Sequence, residues 1–312
     1  MKQKYLYTAI AVLTGVLAGQ TSFADTNVWT GASGTDLLWA TPANWSPAGP
    51  PSTPDDAQFF DPGAAIDLST PNNIVAQSRT IRSLWYGQTN GFHYTLLNPG
   101  VTLTLSGTET NNIFVAGTES DNGAAQVETN VISGPGATLL INNTNGSFVV
   151  RQESGSSGSI RSTLDLSGLD NFNADISRFL VGVEGSFPRP AGTLYLAKTN
   201  VITAVGNTPA LAIGGNGGGN HNSGNSSYVL LGQQNTINAD SITVGRVKQT
   251  GNSSITFNTN LFTDPVVVFR GADGVSRVNN WRLADAESGS GSGNTIGICN
   301  FTAAPWMRSW IP

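Results

Sequence analysis

The sequence is poor in the residues that build common catalytic and metal sites. Among its 312 residues it has one cysteine, Cys299, and two histidines, His93 and His221. One cysteine cannot close an internal disulfide, and neither histidine has a sequence partner for a catalytic triad or a zinc site. A nucleophile elbow, a phosphate loop and a dinucleotide fingerprint are also missing. We therefore assign no catalytic, cofactor-binding or metal-binding residue and expect no cofactor.

Charged side chains are scarce as well. They make up 11% of the chain, with a net charge of −5, and no stretch is rich in Lys or Arg. Such a chain has no means of neutralising a nucleic-acid backbone. The chain instead contains 37 glycines and many Asn, Ser and Thr residues, which suit polar turns between short strands. The composition therefore predicts an all-β protein that does not bind nucleic acid.

The first residues have the pattern of an export signal. Lys2 and Lys4 precede an apolar run over residues 8–17, and Ala24 ends a small-x-small site. The run is too short for a comfortable membrane span, and no later run reaches that length. We predict a signal peptide over residues 1–24, cleaved after Ala24, and a secreted or cell-surface protein that is not transmembrane as given. A buried first helix is the alternative.

Three of the seven tryptophans, Trp29, Trp39 and Trp45, fall in one short segment. Exposed, they would form a platform on which sugar rings stack. Buried, they would close the open end of a stacked fold, where terminal units are expected to be atypical. We favour the second interpretation and predict a Trp-rich N-terminal cap over residues 25–62.

The rest of the chain, residues 63–302, carries a repeated pattern. Segments opening at Thr163, Thr193 and Tyr228 each run from strand to strand through polar turns. Similar strands begin at residues 102, 138 and 255. The first residues of the six strands are therefore separated by 36, 25, 30, 35 and 27 residues along the chain. Units of this length cannot bury an apolar face alone but can do so when stacked, and they are too short for propeller blades. The pattern predicts a parallel β-solenoid of irregular coils of about 25–36 residues.

Alternation within these strands assigns their faces. Leu164 and Leu166 share one face with a period of two, and Leu231 holds the place of Leu166 and Leu196 in its own copy. We expect these leucines to point inward. Before Thr163 the alignment of the repeats is undetermined by one strand, because residues 129–133 resemble residues 199–203.

Several segments carry a family resemblance: residues 238–246, residues 268–274, and the opening Trp29-Thr30-Gly31 with Asn44-Trp45 and Asp55-Asp56-Ala57. With these the chain resembles secreted bacterial proteins of the autotransporter-associated β-strand repeat family, over most of residues 25–302. The resemblance implies a right-handed parallel β-helix carried outside the cell as a passenger or surface protein.

Carboxylates were the first candidates for chemistry, because paired acids are the minimum for glycoside hydrolysis. Asp165, Asp170 and Asp175 lie close together in one repeat, and Asp240 is expected to hold the place of Asp175 in another. Catalytic residues usually break a repeat, whereas these follow it. We therefore interpret Asp175 and Asp240 as residues that end a strand and cap a turn.

Cation and glycan sites were weighed in the same way. Asp55, Asp56 and Asp61 could ligate a cation but more often mark turns, and the Gly-rich segment 214–227 lacks the acidic residues of a calcium repeat. Five basic residues in the last third could meet acidic glycans, although solvated turn charges are the simpler interpretation. They are Arg246, Lys248, Arg270, Arg277 and Arg282.

The last residues, 303–312, break the pattern of the repeats. Trp306, Met307 and Trp310 arrive together. Restoring one G after the codon for Thr302 could convert this tail into a turn and an alternating strand, so we regard it as possibly frameshifted, with more coils to follow. The alternative is a hydrophobic C-terminal cap.

Taken together, these patterns predict an exported structural or adhesive β-solenoid without catalytic activity. Its partners would be surface glycans or other extracellular proteins. The alternative function is a polysaccharide-binding or polysaccharide-degrading β-helix, either a lyase or a glycoside hydrolase. An enzyme should show convergent carboxylates or basic residues that break the repeat, whereas a structural protein should show uniform polar turns.

Overall fold

The computed structural model describes residues 25–108, 110, 112–118, 127–152, 161–183, 190–206, 209–215, 226–246, 252–285 and 295–302. The predicted signal peptide (residues 1–24), the tail (residues 303–312), His221 and Lys248 lie outside them. The described residues are all-β, with one 3-10 turn at Pro42–Asn44 and no α-helix. In this part of the chain no helix is long and apolar enough to cross a membrane.

The strands follow one another in short runs, with two long ones in the middle. The first nine are β1 (Thr26–Trp29), β2 (Trp45–Ser46), β3 (Asp56–Phe59), β4 (Asn73–Val75), β5 (Arg79–Ile81), β6 (Ser83–Tyr86), β7 (His93–Leu97), β8 (Thr102–Leu105) and β9 (Asn112–Ala116). The next six are β10 (Val127–Val150), β11 (Arg161–Asp165), β12 (Leu169–Val181), β13 (Gly192–Tyr195), β14 (Thr199–Ala204) and β15 (Leu211–Ile213). The last seven are β16 (Tyr228–Leu231), β17 (Gln234–Ala239), β18 (Ser241–Arg246), β19 (Asn252–Phe257), β20 (Val266–Arg270), β21 (Asn280–Asp285) and β22 (Ile296–Asn300).

These strands stack in three columns of parallel neighbours. Column 1 contains β4, β7, residues 127–133 of β10, β11, β13, β16, β19 and β22. Column 2 contains β5, β8, residues 138–143 of β10, the first part of β12, β14, β17 and β20. Column 3 contains β1, β3, β6, β9, residues 147–150 of β10, the end of β12, β15, β18 and β21. One strand from each column, in chain order, forms what we call a layer. The sheet is therefore mostly parallel, and among the named strands only β1 and β2 pair antiparallel.

The core lies between the columns and is built from ladders of like residues. In column 3 the rings of Phe114, Phe148 and Phe179 stack, with successive centroids 4.7 and 4.9 Å apart. In column 1 Leu166 and Leu231 are fully buried, and Leu196 is 1% exposed. The register puts the residues just before them side by side. The inward assignment of these leucines is confirmed.

Glycines shape the end of column 3 in successive layers. Gly182 and Gly214 follow column 3 strands and Gly245 lies near the end of β18, with φ values of 60°, 68° and 72°. This left-handed conformation is unfavourable for other residues. At Gly182 a Cβ would also lie 1.8 Å from the Ser227 Oγ atom. The repeated glycine is therefore required both by the backbone conformation and by the next layer.

The repeat boundaries predicted from the sequence were partly wrong. Thr163 pairs with Thr129 in column 1, whereas Thr102 and Thr138 pair with each other in column 2. The predicted openings therefore mixed two columns, because both contain the same Thr-Leu alternation. The spacing is also wider than predicted, since Ile255 pairs with Cys299, 44 residues further along the chain.

The N-terminal tryptophans lie inside the molecule. Trp29, Trp39 and Trp45 are 0%, 1% and 3% exposed. Their rings pack around Phe59, with centroid distances between 5.5 and 5.9 Å. The Trp45 ring meets Phe59 edge to face and the Trp29 ring is stacked on it, and both arrangements add to the burial energy. These rings close the first layers of the core and are not available as a platform for a sugar.

Candidate functional site

The acidic residues singled out in the repeats serve turns and neighbouring layers. The Asp165 Oδ1 atom accepts a hydrogen bond of 2.8 Å from the Ser167 backbone N–H, within its own turn. Asp170 accepts one of 2.8 Å from the backbone of Gly136, and Asp240 one of 3.0 Å from that of Ala272. Each of these two bonds joins one layer to the next. The three carboxylates therefore stabilise turns.

The predicted equivalence of Asp175 and Asp240 is wrong. Asp175 aligns with Thr203, which aligns with Asn238, so Asp240 lies two residues beyond the equivalent position. Asp175 is an exposed residue of β12, and Asp240 lies in the turn after β17. A shift of two residues keeps the same face of a strand inward, so the shared Asn-Ala-Asp motif could not reveal the slip.

The N-terminal acids are likewise engaged by donors. Ser52 donates to Asp55 through its backbone and its hydroxyl, at 2.8 and 2.7 Å, and Asp56 forms an ion pair with Arg82. Burial alone would raise the pKa of Asp55, but the hydrogen bonds from Ser52 and from the Asp25 backbone hold it below its ordinary value. No group of three metal-ligating side chains occurs in the described ranges. These positions fit turns better than a cation site.

His93 is a core residue. It is fully buried, with Nε2 2.7 Å from the Phe60 carbonyl oxygen and Nδ1 3.3 Å from the Asn72 amide. Burial lowers its pKa to about 4, against weaker opposing effects of the Phe60 carbonyl and Asp61. A neutral, enclosed imidazole of this kind positions β7 and cannot reach a substrate.

Glu128, which the sequence analysis missed, breaks a repeat. Its position in column 1 is otherwise occupied by small residues in the described layers. They are Gly91, Ser162, Gly192, Ser227, Ser253 and Gly297. A signal was present in the sequence: Glu128 precedes Asn130 and Ile132 with a period of two, which places it on the inward face.

Glu128 lines a cavity of about 490 Å³ at whose rim the exposed Asp61 lies. Both Glu128 carboxylate oxygens are buried and have no hydrogen-bond partner among the residues that the structure describes, and the same holds for Gln88 Oε1, Asn130 Nδ2 and Ser162 Oγ. Burial, and to a lesser extent the nearby Asp61, raises the pKa of Glu128 to about 8. We call this site the Glu128 cavity.

The pKa of Asp61 is shifted in the opposite direction to that of Glu128. Burial alone would raise its pKa, but the hydroxyl and backbone of Thr89 and the backbone of Asn90 donate to its carboxylate and hold the pKa below its ordinary value. A neutral Glu128 beside an ionised Asp61 is the charge pattern of an acid and base pair. The Glu128 oxygens, however, are closed to solvent.

A second depression lies on the outer face of column 1. This groove has a volume of about 360 Å³ and crosses β11, β13, β16 and β19. The side chains that define it are Arg161, Thr163, Tyr195, Tyr228, Leu230 and Thr256. We call it the tyrosine groove. In the sequence Tyr195 alternates with the inward Leu194 and Leu196, which places it on the outer face, but the other groove residues lie in separate repeats.

The basic residues of the last third do not form one patch. Arg270 ends a column 2 strand and donates to the Gly274 carbonyl at 3.1 Å. Arg246 and Arg282 belong to column 3 strands, and Arg282 contacts Asp285 at 2.7 Å. These arginines therefore lie on strands of two different columns.

Comparisons of the chain with models of protein families, with curated proteins and with solved structures found no match. No relative therefore assigns a role to the Glu128 cavity or to the tyrosine groove.

Proposed function

We propose that the chain is an exported, right-handed parallel β-helix of the autotransporter-associated β-strand repeat type, with a structural or adhesive role at the cell surface. The three-column register supports the β-helix, because successive layers pair in parallel with little slip. The predicted signal peptide over residues 1–24 supports export.

One observation carries the non-catalytic part of the proposal: the candidate acids do not converge on an open site. Asp165, Asp170 and Asp240 accept hydrogen bonds from turns in different layers. When the carboxylates accept hydrogen bonds from turns, the surface of the stack is regular. Such a surface suits a spacer or an adhesin.

Polysaccharide degradation is the second candidate, and the Glu128 cavity is what favours it. Glu128 breaks the ladder of small residues and lies near Asp61, as a catalytic acid would. Against it stands the enclosure of the Glu128 oxygens, since a proton donor must lie within hydrogen-bond reach of the glycosidic oxygen.

A reducing-sugar assay separates the two functions. The full exported chain is incubated with neutral and acidic polysaccharides, and both reducing ends and unsaturated lyase products are measured against a heat-denatured control. We expect no release above that control. Release that is abolished by Glu128→Gln and by Asp61→Asn would overturn the proposal in favour of the enzyme.

A further inference from the structure

The tyrosines of the protein are unevenly distributed. Tyr86 is buried in the core, whereas Tyr94, Tyr195 and Tyr228 all lie on the outer face of column 1. Among the described strands, column 2 has no outward aromatic side chain, and column 3 has one, Trp85, whose ring packs against Phe60. Aromatic rings on the solvent side of a sheet are not needed for the core, so their concentration on one face points to binding.

Two of these rings form a diagonal pair in the tyrosine groove. In the register of β13 and β16, Thr193 lies beside Tyr228 and Tyr195 beside Leu230. The rings of Tyr195 and Tyr228 therefore come from adjacent layers, two residues apart along the strand, a separation that long side chains can bridge. Both are half-buried, so each keeps an accessible surface.

Arg161 completes the groove from β11. Its guanidinium lies 5.3 Å from the centroid of the Tyr228 ring, and Nη1 is 3.4 Å from the Thr193 hydroxyl. It reaches Tyr228 across the intervening layer because Thr193 is small. Stacking on a ring holds the guanidinium plane while leaving N–H groups at its edge to pair with a carboxylate.

We propose that the tyrosine groove binds an acidic glycan, a chain of uronic acid units, with Arg161 pairing to a sugar carboxylate and Tyr195 packing against a sugar ring. The proposal rests on the adhesive role proposed above and names its ligand class. The hydroxyls of Thr163 and Thr256 border the groove and supply hydrogen bonds to the sugar.

The charge of the groove selects an acidic ligand. Of the described residues that line it, Arg161 alone is charged. Its five N–H donors make charge-assisted, bidentate bonds to carboxylates, which are stronger than bonds to neutral hydroxyls. The Glu128 cavity has the opposite sign, because the ionised carboxylate of Asp61 at its rim would repel a uronate. Acidic glycans should therefore bind at the groove and not at the cavity.

The shape of the groove favours binding along a polymer. Four adjacent parallel strands at a spacing of about 4.8 Å give a length of about 14 Å. The groove is shallow and runs across the strands, so a chain could lie along it and continue past both ends. No carboxylic acid lines the described groove, so the bound chain has no proton donor there and is retained without cleavage.

Titration calorimetry on the full exported chain tests this assignment. The ligand is a hexamer of galacturonic acid, and the matched control ligand is the same hexamer with its carboxylates methyl-esterified. The protein variants are Arg161→Gln and Tyr195→Ala. Tyr94→Ala is the control, because Tyr94 lies on the same outer face of column 1 but outside the groove. Thermal melts of each variant check that the fold is intact.

We expect the acidic hexamer to bind at least about tenfold more tightly than its ester, and Arg161→Gln to remove that difference. Tyr195→Ala should weaken binding of both ligands, and Tyr94→Ala should leave binding unchanged. Equal binding of acid and ester, a preference for the acid that survives Arg161→Gln, or no binding by a folded protein overturns the assignment. None of these outcomes concerns cleavage, so they are distinct from failure of the non-enzymatic proposal, which sugar release would reveal.

Discussion

Glu128 lies beside Ser162 in the parallel pair formed by β10 and β11, and neither side chain has a hydrogen-bond partner. A carboxyl group in this setting is stable only in its neutral form, since burial penalises the charged form. The stability of the stack should therefore depend on the protonation of Glu128.

The first prediction concerns the pH range between about 4.5 and 8. The pKa of Glu128 in the folded chain is about 8, above its ordinary value of 4.5, so the folded state holds a proton that the unfolded state releases between these values. The free energy of unfolding should fall as pH rises through this range, by at most about 5 kcal/mol. Glu128→Gln removes the titration and should flatten this slope in urea unfolding at a series of pH values. An unchanged slope would contradict the buried position of Glu128.

The second prediction concerns acidic pH and His93. Its folded pKa of about 4 lies below its ordinary 6.5, so the unfolded state takes up a proton first as pH falls. The contribution of His93 to stability should be complete above pH 6.5 and decline toward pH 4, by at most about 3 kcal/mol. His93→Asn introduces the residue found beside it in the next layer, Asn130. In a Glu128→Gln background, where the opposing slope of Glu128 is absent, urea unfolding at a series of pH values should show a smaller acidic decline for His93→Asn than for His93; an equal decline would contradict the assignment to His93.

The third prediction compares two neighbouring leucines on opposite faces of β16. Leu231 is fully buried and Leu230 lines the tyrosine groove. Leu231→Asp buries an unpaired charge and should destabilise by several kcal/mol, roughly 3 to 5. Leu230→Asp leaves the charge at the surface and should cost about 1 kcal/mol. Equal shifts in thermal melts would show that the two faces are assigned wrongly.

The fourth prediction separates backbone strain from crowding. Gly182 and Gly100 both have positive φ, at 60° and 76°, but only at Gly182 would a Cβ meet the next layer. Gly100→Ala should cost about 1 kcal/mol, the penalty of a left-handed residue. Gly182→Ala should cost at least about twice as much, because the Ser227 side chain must also move. If both variants lose a similar free energy of unfolding in urea, the contact with Ser227 does not explain the loss at Gly182.

The inward ladder of Leu166, Leu196 and Leu231 could be predicted from the sequence because alternation is a local property of each strand. The assignment of strands to columns could not. The Thr-Leu alternation at Thr102 and at Thr163 is the same, but one strand lies in column 2 and the other in column 1. Only pairing between distant segments distinguishes them.

The candidate site, too, could be predicted from the sequence only in part. A turn role for Asp175 and Asp240 followed from their apparent recurrence. The hydrogen bond from the Ala272 backbone supports this role for Asp240, whereas Asp175 lies within β12 and is not its equivalent. Glu128 was missed because the comparison of repeats began at Thr129. The tyrosine groove arises only when the outer faces of β11, β13 and β16 are brought together, since Arg161 and Tyr228 are far apart in the chain.

The register between layers is the central claim, and disulfide trapping measures it most directly. In a Cys299→Ser background, Val201→Cys is combined with Thr236→Cys, its register partner, or with Asn238→Cys, its partner if the Asn-Ala-Asp motifs were aligned. Register partners lie about 4.8 Å apart and suit a disulfide, whereas the offset pair lies about 8 Å apart and does not. We predict rapid oxidation of the first pair and not of the second, measured by mass spectrometry of the folded protein. Preferential oxidation of the Val201→Cys and Asn238→Cys pair would contradict the layered register.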